Sequence, residues 1–161
     1  MARRAMRAAS VRMPAVAGLF YPGNPQQLRA EVATLLAKAP MRAAAEVKAV
    51  IAPHAGYVYS GTIAAVAFAR LRERAKEIAR VVVIGPAHYV SLRGVAVPSA
   101  ASFATPLGAV AVDRDALDAI AGLPCVVTHD AAHAPEHALE VELPFLQMML
   151  GDFKLVPLVV G

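Results

Sequence analysis

Near-continuous apolar runs, rich in β-branched residues and too short to cross a membrane, recur along this chain. "VKAVIAP" (47–53), "RVVVIGP" (80–86) and "FKLVPLVVG" (153–161) lack the strict in–out alternation of a strand with one wet face. Such runs suit strands covered on both sides, as in a parallel sheet between helices. Segments of helical period separate them. Asn24 is a good N-cap, Pro25 suits the first helical position, and Gln27 falls three residues after the cap. Leu28, Val32, Leu35 and Leu36 then form one apolar stripe, which Pro40 ends. A second helix is expected from Ser60, as its N-cap, to about Ile78, with Ile63, Val66, Ala67, Leu71 and Ala75 on one face. "GVAVPS" and "GAVAVD" read as a short edge pair of strands, and "PCVVTHD" as a further strand. Asp113 caps a helix over "RDALDAIAG", and "EHALEVELPFLQMML" reads as the last helix, with Glu136 and His137 at its start. The expectation is an α/β fold with a largely parallel sheet and helices on both faces.

The chain has 161 residues, 58% of them hydrophobic and 17% charged, which fits one packed domain. The formal net charge of +4 sits in the first residues. Arg3, Arg4, Arg7 and Arg12 occur with no acid, and the remainder has 12 basic and 12 acidic side chains. The expected division is a disordered basic tail over 1–13 and a single α/β domain over 14–161. A neutral folded part gives no reason to expect nucleic acid. No apolar run approaches the ~18 residues of a membrane helix, so no membrane partner is expected. The single cysteine, Cys125, cannot form an internal disulfide. It is expected buried, in a reducing, cytoplasmic setting. The sequence stops at Gly161 directly after an apolar strand, where the next crevice loop of an open α/β sheet would begin. The domain is therefore expected to be incomplete at its C-terminus, with a missing half or a second chain completing it.

Five histidines are present: His54, His88, His129, His133 and His137. His54 and His88 stand in matching strand–Pro–His contexts, and His129 also follows an expected strand. Parallel strands would deliver these side chains to one crevice, and neutral imidazole suits iron, zinc or copper. The four-residue spacing of His129, His133 and His137 would stack them on a helix, but Pro135 interrupts that run. Glu136 reads either as a helix-start acid or as part of the site, and Glu140 as a site or solvated residue. Thr128 and Asp130 are candidate partners for an imidazole N–H. "HAGYVYSG" is neither a dinucleotide-binding nor a Walker loop, and no nucleophile elbow or Cys-x-x-Cys occurs.

Four segments, "AGLFYPGNPQQLRAEV", "IAPHAGYVYSG", "VVVIGPAHYV" and "EHALEVELPFLQ", together resemble the Memo family. Its prokaryotic members are called AmmeMemoRadiSam system protein B. The resemblance covers nearly the whole chain as an N-terminal portion of the family. It implies a fold like the catalytic subunit of class III extradiol dioxygenases, whose iron is held by two histidines and a carboxylate. It also implies metal ligation by His54 and His88, with His137 and Glu136 in the same pocket as acid–base or orienting groups. Fe(II) is the expected ion, with Cu or Zn as alternatives. The family's third ligand, a cysteine, lies in a later half, and Cys125 does not match it. The family's company implies a radical-SAM protein and a small partner protein. The expected function is a redox, dioxygenase-like non-haem metalloprotein. The alternatives are a metal-independent phosphopeptide- or protein-binding module using His54, His88 and Tyr57, an inactive fragment and, more remotely, a zinc hydrolase.

Overall fold

The computed structural model describes residues 10–40 and 47–161. Arg3, Arg4 and Arg7 lie outside them. In chain order the elements are β1 (Val11–Arg12), α1 (Pro25–Lys38), α2 (Tyr57–Ala69), β2 (Arg80–Pro86), β3 (Val95–Val97) and β4 (Ser102–Thr105). There follow β5 (Gly108–Ala111), α3 (Arg114–Ile120), β6 (Val126–Thr128), α4 (Asp130–His133), α5 (Leu143–Leu150) and β7 (Lys154–Val160). Short 3-10 segments span Arg72–Glu77 and Glu140–Glu142. Among the described residues no helix is long and apolar enough to cross a membrane.

The strands form two mixed sheets, of order β1-β4-β5 and β2-β7-β3-β6. The larger joins β2 to β7 and β3 to β6 in parallel, but β3 runs antiparallel to β7. The α/β class stands, and the largely parallel sheet is corrected to a mixed one. The expected edge pair is also corrected: β5 pairs with β4, and β3 sits between β7 and β6.

Among the described residues, helices do not cover both faces of the larger sheet. In the β2–β7 register, Val82 lies beside Val156, Ile84 beside Leu158, and Pro86 beside Val160 on one face. Val82 is 53% exposed and Ile84 65%, whereas Val83 on the opposite face is buried. The buried face joins a continuous core of Leu28, Val32, Phe68, Phe145, Leu155 and Val159. The expected strand at 47–53 is absent. Ile51 is 97% exposed, so this segment lacks the covering layers that a strand buried on both sides requires.

Two expected helix caps form as their chemistry directs. Asn24 Oδ1 accepts from the amides of Gln26 and Gln27, and Asp113 accepts from the Ala116 amide. Ser60 is not a cap: the helix begins at Tyr57, and the Ser60 hydroxyl donates back to the Ala55 carbonyl at 2.9 Å. The expected last helix is shortened, because residues 134–139 lie outside any helix and α5 starts only at Leu143. Cys125 is exposed, not buried. Val11 and Arg12, expected within the basic tail, form a strand that pairs in parallel with Ser102–Phe103.

His133 is buried and accounts for a pH response. Its Nε2 lies 3.0 Å from the Ala96 carbonyl, and burial lowers its pKa from 6.5 to about 4. The unfolded chain takes up this proton near 6.5, but the folded chain only near 4. The stability that neutral His133 contributes is therefore present above pH 6.5 and is lost as pH falls through that window. Denaturant midpoints between pH 7 and pH 4 should fall, and His133→Gln should flatten the fall by removing the proton-binding group.

Candidate metal centre

His88 lies two residues beyond the end of β2, which sets its position. His54 belongs to the extended segment leading into α2, where the Tyr57 amide donates to the Phe20 carbonyl at 2.7 Å. His137 lies in the loop between α4 and the Glu140–Glu142 turn. These three segments converge. The ring centroids are 5.3 Å apart for His54–His88, 5.9 Å for His54–His137 and 4.6 Å for the stacked His88–His137 pair. One ring nitrogen from each lies within 4.8 Å of the others.

Gly85 makes the closest approach possible. A Cβ there would lie 2.9 Å from Ala138 Cβ and 2.7 Å from Leu139 Cδ1. The bare strand end thus lets the His137–Leu139 loop rest against β2, which stacks His137 on His88. Glycine inside a strand often marks such a contact.

Glu136 organises the cluster from behind. Its carboxylate accepts from the His88 amide at 2.7 Å and from the His137 and Ala138 amides at 2.9 Å. It also lies 2.9 Å from His88 Nδ1 and 3.4 Å from His137 Nδ1. Burial opposes charge on Glu136, but the His88 and Ala138 amides and the His88 ring outweigh it and hold its pKa below the ordinary carboxylate value. A charged Glu136 accepts a hydrogen bond from His88 Nδ1–H, which leaves His88 Nε2 bare. The Tyr89 hydroxyl is 3.3 Å from His137 Nδ1.

Burial, with the neighbouring imidazoles, lowers the pKa of His54 and of His137. Both rings are therefore neutral at pH 7, the form that ligates metal. Three imidazoles facing one point fit a borderline divalent ion such as iron, copper or zinc. Beside them Leu19, Phe20, Pro53, Val58 and Tyr59 line a cleft of about 620 Å³ that includes His54 and His137. Its lining is largely apolar.

Other sequence candidates lie elsewhere. His129 Nδ1 caps α4 by accepting from the Ala132 amide, and His133 is buried against Ala96. The even spacing of His129, His133 and His137 does not build a common face. Asp130 binds the amide and hydroxyl of Ser99 at 2.6 Å, not an imidazole. The Tyr57 hydroxyl is already engaged, donating to the Val141 carbonyl at 2.7 Å. Glu140, read as a site or solvated residue, is fully buried. It is paired with Arg12 and accepts from Tyr21 and from the Ala15 and Val16 amides. Sequence reading missed Arg12 altogether, because it sits among tail arginines.

Gly85→Ala should therefore harm the site more than the fold. The expected result is a folded protein by circular dichroism whose cobalt(II) affinity is weaker by roughly tenfold or more, measured by titration.

Comparison with known proteins finds relatives over almost the whole chain. The family model described as Memo-like protein matches residues 12–161. A MEMO1 family protein of Ignicoccus hospitalis is 41% identical, with 92% of this chain and 56% of the relative covered. One from Aquifex aeolicus is 38% identical, covering 93% and 55%, and one from Archaeoglobus fulgidus is 39% identical, covering 94% and 54%. The chain thus spans a little over half the length of these curated relatives.

Proposed function

Because the chain belongs to the Memo-like family, we propose that it carries a non-haem metal centre held by His54, His88 and His137. The carrying observation is that three histidines from distant segments bring ligand atoms within 4.8 Å of one another. Fe(II) is the ion proposed first, with Cu or Zn as alternatives, since all three accept neutral imidazole. When bound, ferrous iron supplies one-electron and dioxygen chemistry at positions the protein leaves open.

The chain's own residues do the rest. Glu136 orients His88 and strengthens its basicity as a ligand. His137, held between Glu136 and Tyr89, is placed to orient a ligand or pass a proton at its Nδ1. The open apolar cleft beside His54 and His137 offers a surface for an apolar part of a substrate. A redox activity resembling that of class III extradiol dioxygenases, and an extradiol-like fold for the whole, rest on the family resemblance. Association with a radical-SAM protein and a small partner rests on the same basis.

A second reading has its own observation. Leu19, Val58 and Tyr59 stand exposed around His54, a rim suited to capturing a peptide without metal. Anaerobic titration with Fe(II), Cu and Zn separates the two. The metal reading expects close to one ion per chain, lost on His54→Ala, His88→Ala or His137→Ala. Absence of bound metal in the unsubstituted protein, with phosphopeptide capture insensitive to chelator, would establish the second reading instead.

A further inference from the structure

The geometry points to Arg12 as a positioning residue for the histidine cluster, a role that rests on reading that cluster as a metal centre. Arg12 is buried, and its guanidinium reaches three points of one short segment. Nε donates to the His133 carbonyl at 3.0 Å, and Nη2 donates to the Glu136 carbonyl at 2.5 Å. Nη1 pairs with the fully buried carboxylate of Glu140. These acceptors bracket residues 133–140, which carry both Glu136 and His137. Between α4 and the Glu140–Glu142 turn, residues 134–139 form no helix or strand, and their local bonds are few: the Ala134 amide to the Asp130 carbonyl, the Glu136 amide to the His133 carbonyl, and the His137 and Ala138 amides to the Glu136 carboxylate. Arg12 adds a grip from another part of the chain at the beginning, middle and end of the segment.

The grip is itself anchored away from the histidines. Arg12 lies in β1 beside Phe103 of β4, and its guanidinium sits 5.4 Å from the Phe103 ring centroid. Glu140 is fixed in turn by the Ala15 and Val16 amides at 2.7 and 3.0 Å and by the Tyr21 hydroxyl. The route to the site is short. Arg12 holds the Glu136 main chain, and the Glu136 side chain holds His88 and the His137 amide. A planar guanidinium with several fixed donors can satisfy three separate acceptors, and an ammonium on a flexible stem cannot hold all three at once.

The test compares Arg12→Lys and the double variant Arg12→Met/Glu140→Gln with the unsubstituted protein. The double variant removes both charges, so that folding is not lost to an unpaired buried carboxylate. Circular dichroism identifies folded variants, and measurements are made well below their unfolding temperatures. Cobalt(II) titration and its ligand-field spectrum report the site. Ring-proton nuclear Overhauser effects between His88 and His137 report it without metal. A positioning role expects cobalt affinity weakened roughly tenfold to a hundredfold, an altered spectrum, and loss of the His88–His137 effect. Arg12→Lys should fall between the two, because it keeps a partner for Glu140 but not the fork. A folded double variant with unchanged affinity and spectrum and an intact ring contact would overturn the proposal. If the unsubstituted protein takes no cobalt, the metal reading fails, and the ring contact alone decides the role of Arg12.

Discussion

A buried carboxylate needs donors, and Glu136 draws its own from the two segments that bear His88 and His137. That requirement ties the end of β2 to the loop after α4. It aligns two imidazoles, keeps a negative charge behind them, and turns the His88 ring so that one nitrogen is spoken for. The missing side chain at Gly85 permits the contact, because only a strand end without Cβ lets Ala138 and Leu139 come so close. His54 completes the group from the opposite wall.

The N-terminal segment is part of this same assembly. Arg12 and Glu140 form a buried ion pair whose remaining bonding capacity is used by backbone carbonyls, backbone amides and Tyr21. Breaking one partner of such a pair costs far more than the pair contributes, because it strands a charge out of water. The pair therefore serves specificity: it selects one path for residues 133–140 among the many that an irregular segment could take. The small sheet built on β1 thus bears on the histidines without touching them.

Much of the site was legible in the sequence. The strand–Pro–His pattern singled out His54 and His88, and the family resemblance added Glu136 and His137. Capping at Asn24 and Asp113 was readable because it depends on neighbours in sequence. What failed depends on distant contacts. The "VKAVIAP" run has the composition of a strand but not the covering layers, and Ile51 stands in solvent. Glu136 and His137 carry a helix-start signature, yet the Glu136 carboxylate is committed to His88 and to the His137 and Ala138 amides, so no helix forms there. Arg12 looked like one more tail arginine, since nothing local marks the carboxylate 128 residues away that receives it. The mixed sheet was hidden for a similar reason: apolar composition reports burial, not strand direction.

If Glu136 presets the histidines to ligate, the preference exists before any metal binds, and a two-bond proton–nitrogen spectrum of metal-free protein labelled with ¹⁵N in histidine reads it. At neutral pH His88 should be the Nδ1–H tautomer with a bare Nε2, and Glu136→Gln should disturb this preference. A His88 ring protonated at Nε2, indifferent to Glu136, would contradict it.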